Sequence, residues 1–130
     1  MTGFENLEVW KKASLLTIAV YNAFCQSAER WLKEQILRSA LSVPSNIAEG
    51  ADRHSDKDFV NFLMIARGSA AELRTQLYIA SKINVISQDA VLPLIKEAKE
   101  ISRMINALIK TLHTGIIGAP LIFAKYNAPS

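Results

Sequence analysis

Apolar residues recur at spacings of three and four along four stretches of the chain, and no useful length of alternating apolar and polar residues suggests a strand. In the first stretch Trp10, Ala13, Thr17, Val20 and Phe24 form one row, and Leu7, Ser14, Ile18, Tyr21 and Cys25 form a second. This helix therefore has two faces to bury. The second stretch carries Ile36, Ala40, Val43, Ile47 and Gly50 as its seam, beside a polar row of Ser39, Ser42, Asn46, Glu49 and Arg53. In the third, Phe59, Leu63, Ala66, Ala70, Leu73, Leu77 and Ala80 make one seam. Phe62, Ile65, Ser69, Glu72, Gln76, Ile79 and Ile83 make another, which turns polar in its middle. The fourth repeats Leu94, Ala98, Ile101, Ile105, Leu108 and Leu112 at about 3.5 residues.

Start and stop signals bound these stretches. Ser55 and Asp58 read as a cap, with the hydroxyl accepting an orphan amide and the carboxylate near the positive end of the helix dipole. Ser87 plays the same part for the fourth stretch, and Gly115 closes it. Helices are expected at about 6–26, 31–52, 56–84 and 88–112. Long helices on short loops predict an all-α fold, an antiparallel up-and-down four-helix bundle over residues 1–113. The apolar tail, 114–130, runs through GIIGAPLIFAKYNAPS with neither helical period nor polar composition, and either packs on the bundle or frays.

The chain has 130 residues, 50% of them apolar, which is one domain's length with enough apolar surface for a core. A formal charge of +3 and a pI near 9.1 permit a nucleic-acid partner without establishing one. Cys25, the only cysteine, excludes an intramolecular disulfide and a cysteine metal cluster, and reads as a small buried hydrophobe. The N-terminus lacks an export signal and no apolar run is long enough to span a bilayer, so a cytoplasmic protein without a membrane role is expected.

Several residues interrupt the pattern. Pro44 falls inside the second helix, where a missing amide and a ring clash cost about 3 kcal/mol and should kink it. Asn46 and Glu49 on one helix and Ser69 and Glu72 on the next are expected to form a hydrogen-bonded network that fixes register. The alternative, a catalytic pair of Glu49 and Glu72, ranks last because no nucleophile, phosphate loop or metal ligand accompanies it. Gly68 in mid-helix suggests a close helix approach. A bundle di-iron site needs Glu-x-x-His, and neither His54 nor His113 follows a glutamate at that spacing, so no metal or cofactor is expected. No enzyme activity is expected either: no Gly-x-Ser-x-Gly elbow exists and no strand would hold one. The binding candidates are basic. Lys96, Lys99, Arg103 and Lys110 share one face of the fourth helix, with Glu97 and Glu100 at its flank, and this stripe either tracks phosphates or is a solvated face. Arg53, Arg67 and Arg74 are the next candidates.

The run S-V-P-S-N-I-A-E-G-A-D-R-H-S-D-K-D-F, then F-L-M-I-A-R-G-S-A-A-E-L, joins Asn46, Glu49, Gly50, Arg53, Ser55, Phe59, Gly68, Ser69 and Glu72 in one long motif. With the opening F-E-N-L-E-V-W-K-K-A, it resembles the four-helix-bundle family known for the protein encoded in intervening sequences of bacterial 23S ribosomal RNA genes, over roughly Phe4 to Leu112. The resemblance implies a bundle assembled as a ring, commonly a homopentamer. It also implies similarity to the accessory protein of diversity-generating retroelements, which binds nucleic acid and a reverse transcriptase. It implies no catalytic activity. Pro44 and the tail after His113 are less typical of that pattern. The reading that results is a non-enzymatic homo-oligomer binding nucleic acid, such as structured RNA, through a basic surface formed on assembly. Its alternatives are a structural or protein-interaction module and, last, an enzyme using Glu49 and Glu72.

Overall fold

The structure is a computed structural model that describes residues 3–114, so the tail expected to pack or fray lies outside the described residues. A 3-10 turn over Phe4–Asn6 leads into α1 (Glu8–Phe24), followed by α2 (Arg30–Ala51), α3 (Asp56–Lys82) and α4 (Gln88–Thr114). Phe4 and Trp10 meet edge to face at 5.2 Å and fix the entry to α1. The Ser55 hydroxyl accepts the Asp58 amide at 3.1 Å to start α3, and Ser87 accepts the Ala90 amide at 3.2 Å to start α4. α3 ends in a Schellman turn: Asn84 takes a left-handed φ of 63°, the Val85 amide donates to the Ala80 carbonyl at 2.8 Å, and the Asn84 amide donates to Ser81 at 3.1 Å.

Each helix packs on its neighbours in chain order, and α1 closes the ring against α4. Cross-helix contacts give the directions. Ser42 meets Ser69 while Gly50, eight residues on, stands against Phe62 and Phe59, so numbers rise on α2 as they fall on α3; Thr17 reaches Ala40, Arg67 meets Asn106 and Lys12 meets Glu97 across the other pairs. The seams read from spacing form the core: all seven residues of the Phe59 to Ala80 row are buried, as are Ile36, Ala40, Val43, Ile47 and Gly50. Val9 and Leu16 add a buried flank to α1 that the spacing assigned to neither row. The second row of α1 is largely solvent-facing within one chain, with Ile18 and Tyr21 each 56% exposed. Cys25 is half-buried at the end of α1, less enclosed than its place in an apolar run suggests.

α2 continues unbroken through Pro44, which is buried. Proline has no amide for the carbonyl four residues back, so Ala40 loses its helical partner. The Thr17 hydroxyl supplies one from α1, donating at 2.9 Å to Ala40 as well as to Ala13 of its own helix. The interruption in α2 thus becomes a cross-link to α1.

The two motif glycines differ. A Cβ on Gly50 would stand 2.6 Å from Phe62 Cβ and 3.1 Å from Phe59 Cδ1, so the side of α3 leaves no room for a side chain. Gly68 faces outward, with nothing within 4 Å of the place a Cβ would take, which corrects the expectation of close helix approach there. Opposite outcomes are expected in urea denaturation. Gly50→Ala should lose about 1 to 2 kcal/mol, because overpacking outweighs the gain in helix propensity. Gly68→Ala should gain up to about 1 kcal/mol from propensity alone. A stabilised Gly50→Ala would mean that α2 and α3 stand further apart.

Candidate nucleic-acid interface

The polar residues of the α2–α3 face are linked in part. Ser42 and Ser69 share a hydrogen bond of 2.8 Å across the helices, and Asn46 Nδ2 donates to the Ser42 carbonyl at 2.8 Å and to its hydroxyl at 3.0 Å. The expected carboxylates stand outside this network. Glu49 is exposed and pairs with Arg53 Nη2, just beyond the end of α2, at 3.2 Å, while Glu72 is exposed. With Ser42 opposite Ser69, Glu72 lies level with Ser39 and Glu49 level with Phe62. That is a separation of about 15 Å along the axis, too far for two carboxylates to act as a pair. Arg53 also stacks over Phe62 at 4.9 Å, so it belongs to this face and does not join the other basic candidates.

Of the others, Arg67 reaches across the α3–α4 seam. Arg67 Nη1 donates to Asn106 Oδ1 at 2.8 Å, which sets the register. Seven positions further along α3 is Arg74, and seven positions back along α4 is Lys99, so the two stand level. Arg74 is half-buried, its Nε has no hydrogen-bond partner, and neither it nor Lys99 makes an ion pair among the described residues. Lys96, Lys99, Arg103 and Lys110 are all exposed on the side of α4 away from the Leu94 to Leu112 seam. Beyond its first turn α3 has one acidic residue, Glu72, and that follows Ser69 on the α2 side. Asn106, Tyr78 and Lys82 extend the same α3–α4 face. Spacing could have found the last two, since Arg67, Arg74, Tyr78 and Lys82 follow at seven, four and four.

The stripe is not uniformly free. Arg103 grips Glu100 with both Nε and Nη2, at 2.9 and 2.6 Å. That hydrogen bond lowers the Glu100 carboxyl from its ordinary value and raises the Arg103 guanidinium. Glu97 is drawn to the opposite flank by Lys12, at 3.2 Å. Among the described residues no three histidines, cysteines or acids gather closely enough to hold a metal.

A family model described as 23S rRNA-intervening sequence protein matches residues 5–107. The chain belongs to that family. It is also similar to a solved protein of unknown function from the S23 ribosomal protein family of Bacteroides thetaiotaomicron VPI-5482. The two are 25% identical with a TM-score of 0.70, over 79% of this chain and 99% of that one. No curated protein matches the sequence. Within the 23S rRNA-intervening sequence family, the matched region takes in Lys96, Lys99, Arg103, Arg67 and Arg74 and stops short of Lys110. Glu100 is the acid that most directly quenches this face. Glu100→Gln should release the Arg103 guanidinium; if this face takes up an oligonucleotide, the variant should bind it more tightly and steepen the salt dependence by about 0.7 to 0.9, one added phosphate contact, in an anisotropy titration. An unchanged slope would remove Arg103 from the interface.

Proposed function

We propose that this member of the family is a non-enzymatic helical-bundle protein that self-associates and binds nucleic acid through its α3–α4 face. The observation that carries the reading is the Arg67–Asn106 hydrogen bond, which sets Arg74 level with Lys99 beside an α4 stripe that includes Lys96, while the acids on this side of α3 are confined to its first turn, where Asp56 lies toward Leu112 and His113. Cations so placed gain affinity by displacing counterions from phosphates, and neighbouring copies of the face would add their fields. Sequence preference is weak in this reading. Apart from Arg67, Arg74 and Asn106 the face has few groups suited to base edges, so backbone and shape dominate, as they do for structured RNA. Self-association is supported by apolar side chains left in water by a single chain: Leu15 at 66%, Trp31 at 59% and Ile65 at 52% exposure. A cytoplasmic setting belongs to the same proposal, and among the described residues no helix is long and apolar enough to cross a membrane.

Lys96→Glu with Lys99→Glu tests the reading, because both side chains are exposed and lie off the core seam. The double variant should bind single-stranded and duplex oligonucleotides more weakly whatever their sequence. Its salt slope should be shallower by about 1.4 to 1.8, two lost phosphate contacts. Light scattering should report more than one chain per particle for both proteins. Unchanged affinity and slope would place binding elsewhere. No binding by the wild type to RNA or DNA at low salt would leave the exposed apolar faces as the surface for a protein partner.

A further inference from the structure

The basic seam runs into a cleft at the α3–α4 turn. One helical turn beyond Arg74, about 6 Å along the axis, Tyr78 stands 45% exposed at the edge of a cavity of about 420 Å³. The Schellman turn at Asn84 and the Ser87 cap lie beside it, and Ile86 is among its lining residues. Its lining is mixed: Val91 and Ile95, which are buried, and Leu92, which is 50% exposed, supply aliphatic surface. The amides of Asn84 and Gln88, the hydroxyls of Ser81 and Ser87 and the ammonium of Lys82 supply the polar part of the lining.

This set has a chemical meaning. A flat aromatic beside aliphatic walls suits a planar ring, side-chain amides can donate and accept along that ring's edge, and a cation at the rim suits an attached phosphate. Paired bases in a duplex are stacked on both faces and cannot enter a cleft, whereas bases in loops, bulges and single strands can be splayed out onto aromatic side chains. We infer that the cleft takes one unpaired nucleobase, stacked on Tyr78, from a single strand whose backbone lies along the basic α3–α4 face. This deepens the nucleic-acid reading and rests on it. The cations supply affinity for any phosphate chain, and the cleft supplies the preference for an unpaired one.

The test is an anisotropy titration of a labelled RNA of about twelve nucleotides, alone and annealed to its complement, against the wild type, Tyr78→Ala and Tyr78→Phe. The wild type should favour the single strand. Tyr78→Ala should weaken single-strand binding by about 5- to 150-fold, the range of one lost stack, with a much smaller loss on the duplex and an unchanged salt slope. Tyr78→Phe should stay near wild type, since the ring and not the hydroxyl makes the stack. Melting curves check that both variants fold, as the exposure of Tyr78 leads one to expect. Single-strand binding undiminished in Tyr78→Ala, or an equal loss on single strand and duplex, overturns the cleft while leaving the basic face in place. Failure of the wild type to bind either form overturns both.

Discussion

Between Gly50 and the two phenylalanines of α3 there is no space for a methyl group, and the layout of the bundle follows from that contact. With a would-be Cβ 2.6 Å from Phe62, the backbone of α2 lies directly against aromatic side chains at the start of α3. That fixes both the height and the roll of α3. Two turns along, Ser42 meets Ser69, the Phe59 to Ala80 row turns inward, and Arg67 and Arg74 are left pointing to α4. Each residue of a helix is rotated about 100° from the last. A slip of one position in α3 would therefore carry its arginines away from Asn106 and Lys99 and dissolve the basic seam.

Several polar groups inside the bundle are occupied by the bundle, whereas Asp56 Oδ1, Arg74 Nε and Gln76 Oε1 are buried without a hydrogen-bond partner. Pro44 frees a carbonyl at Ala40 and Thr17 takes it up, so a residue that should weaken α2 holds α1 to it. Ser42, Asn46 and Ser69 satisfy one another between α2 and α3. A buried polar group left without a partner costs about 1 to 3 kcal/mol, so these links protect register more than they add stability. The cations Lys96, Lys99, Arg103 and Lys110 lie on the exposed surface, away from these links.

Much of this is legible in the sequence because a helical row reports directly on burial. The Phe59 to Ala80 and Ile36 to Gly50 rows need no partner to be read, and the Ser55 and Ser87 caps are local chemistry. The row says that a residue lies to one side, however, and not which neighbour stands there. Arg53 and Arg67 look equivalent as basic residues near the motif, yet one faces back along α2 to Glu49 and the other crosses to α4. Glu72 sits on the right row for a network but at the wrong height to meet Glu49, a quantity that depends on cross-helix register. Gly68 is conspicuous for its cost in a helix, and only the roll of α3 reveals that it faces open space. The cleft beside Tyr78 is hidden for the same reason, as it is made by a turn between two helices.

The central claim is that nucleic acid lies on the α3–α4 face, and ultraviolet cross-linking tests it most directly. A single-stranded RNA bound at low salt would be irradiated with the protein and the attached peptides identified by mass spectrometry. The account expects cross-links within residues 67–82 of α3 and 95–106 of α4, Tyr78 among them, and their loss as salt rises. Cross-links confined to α1 and α2, or retained at high salt, would contradict it.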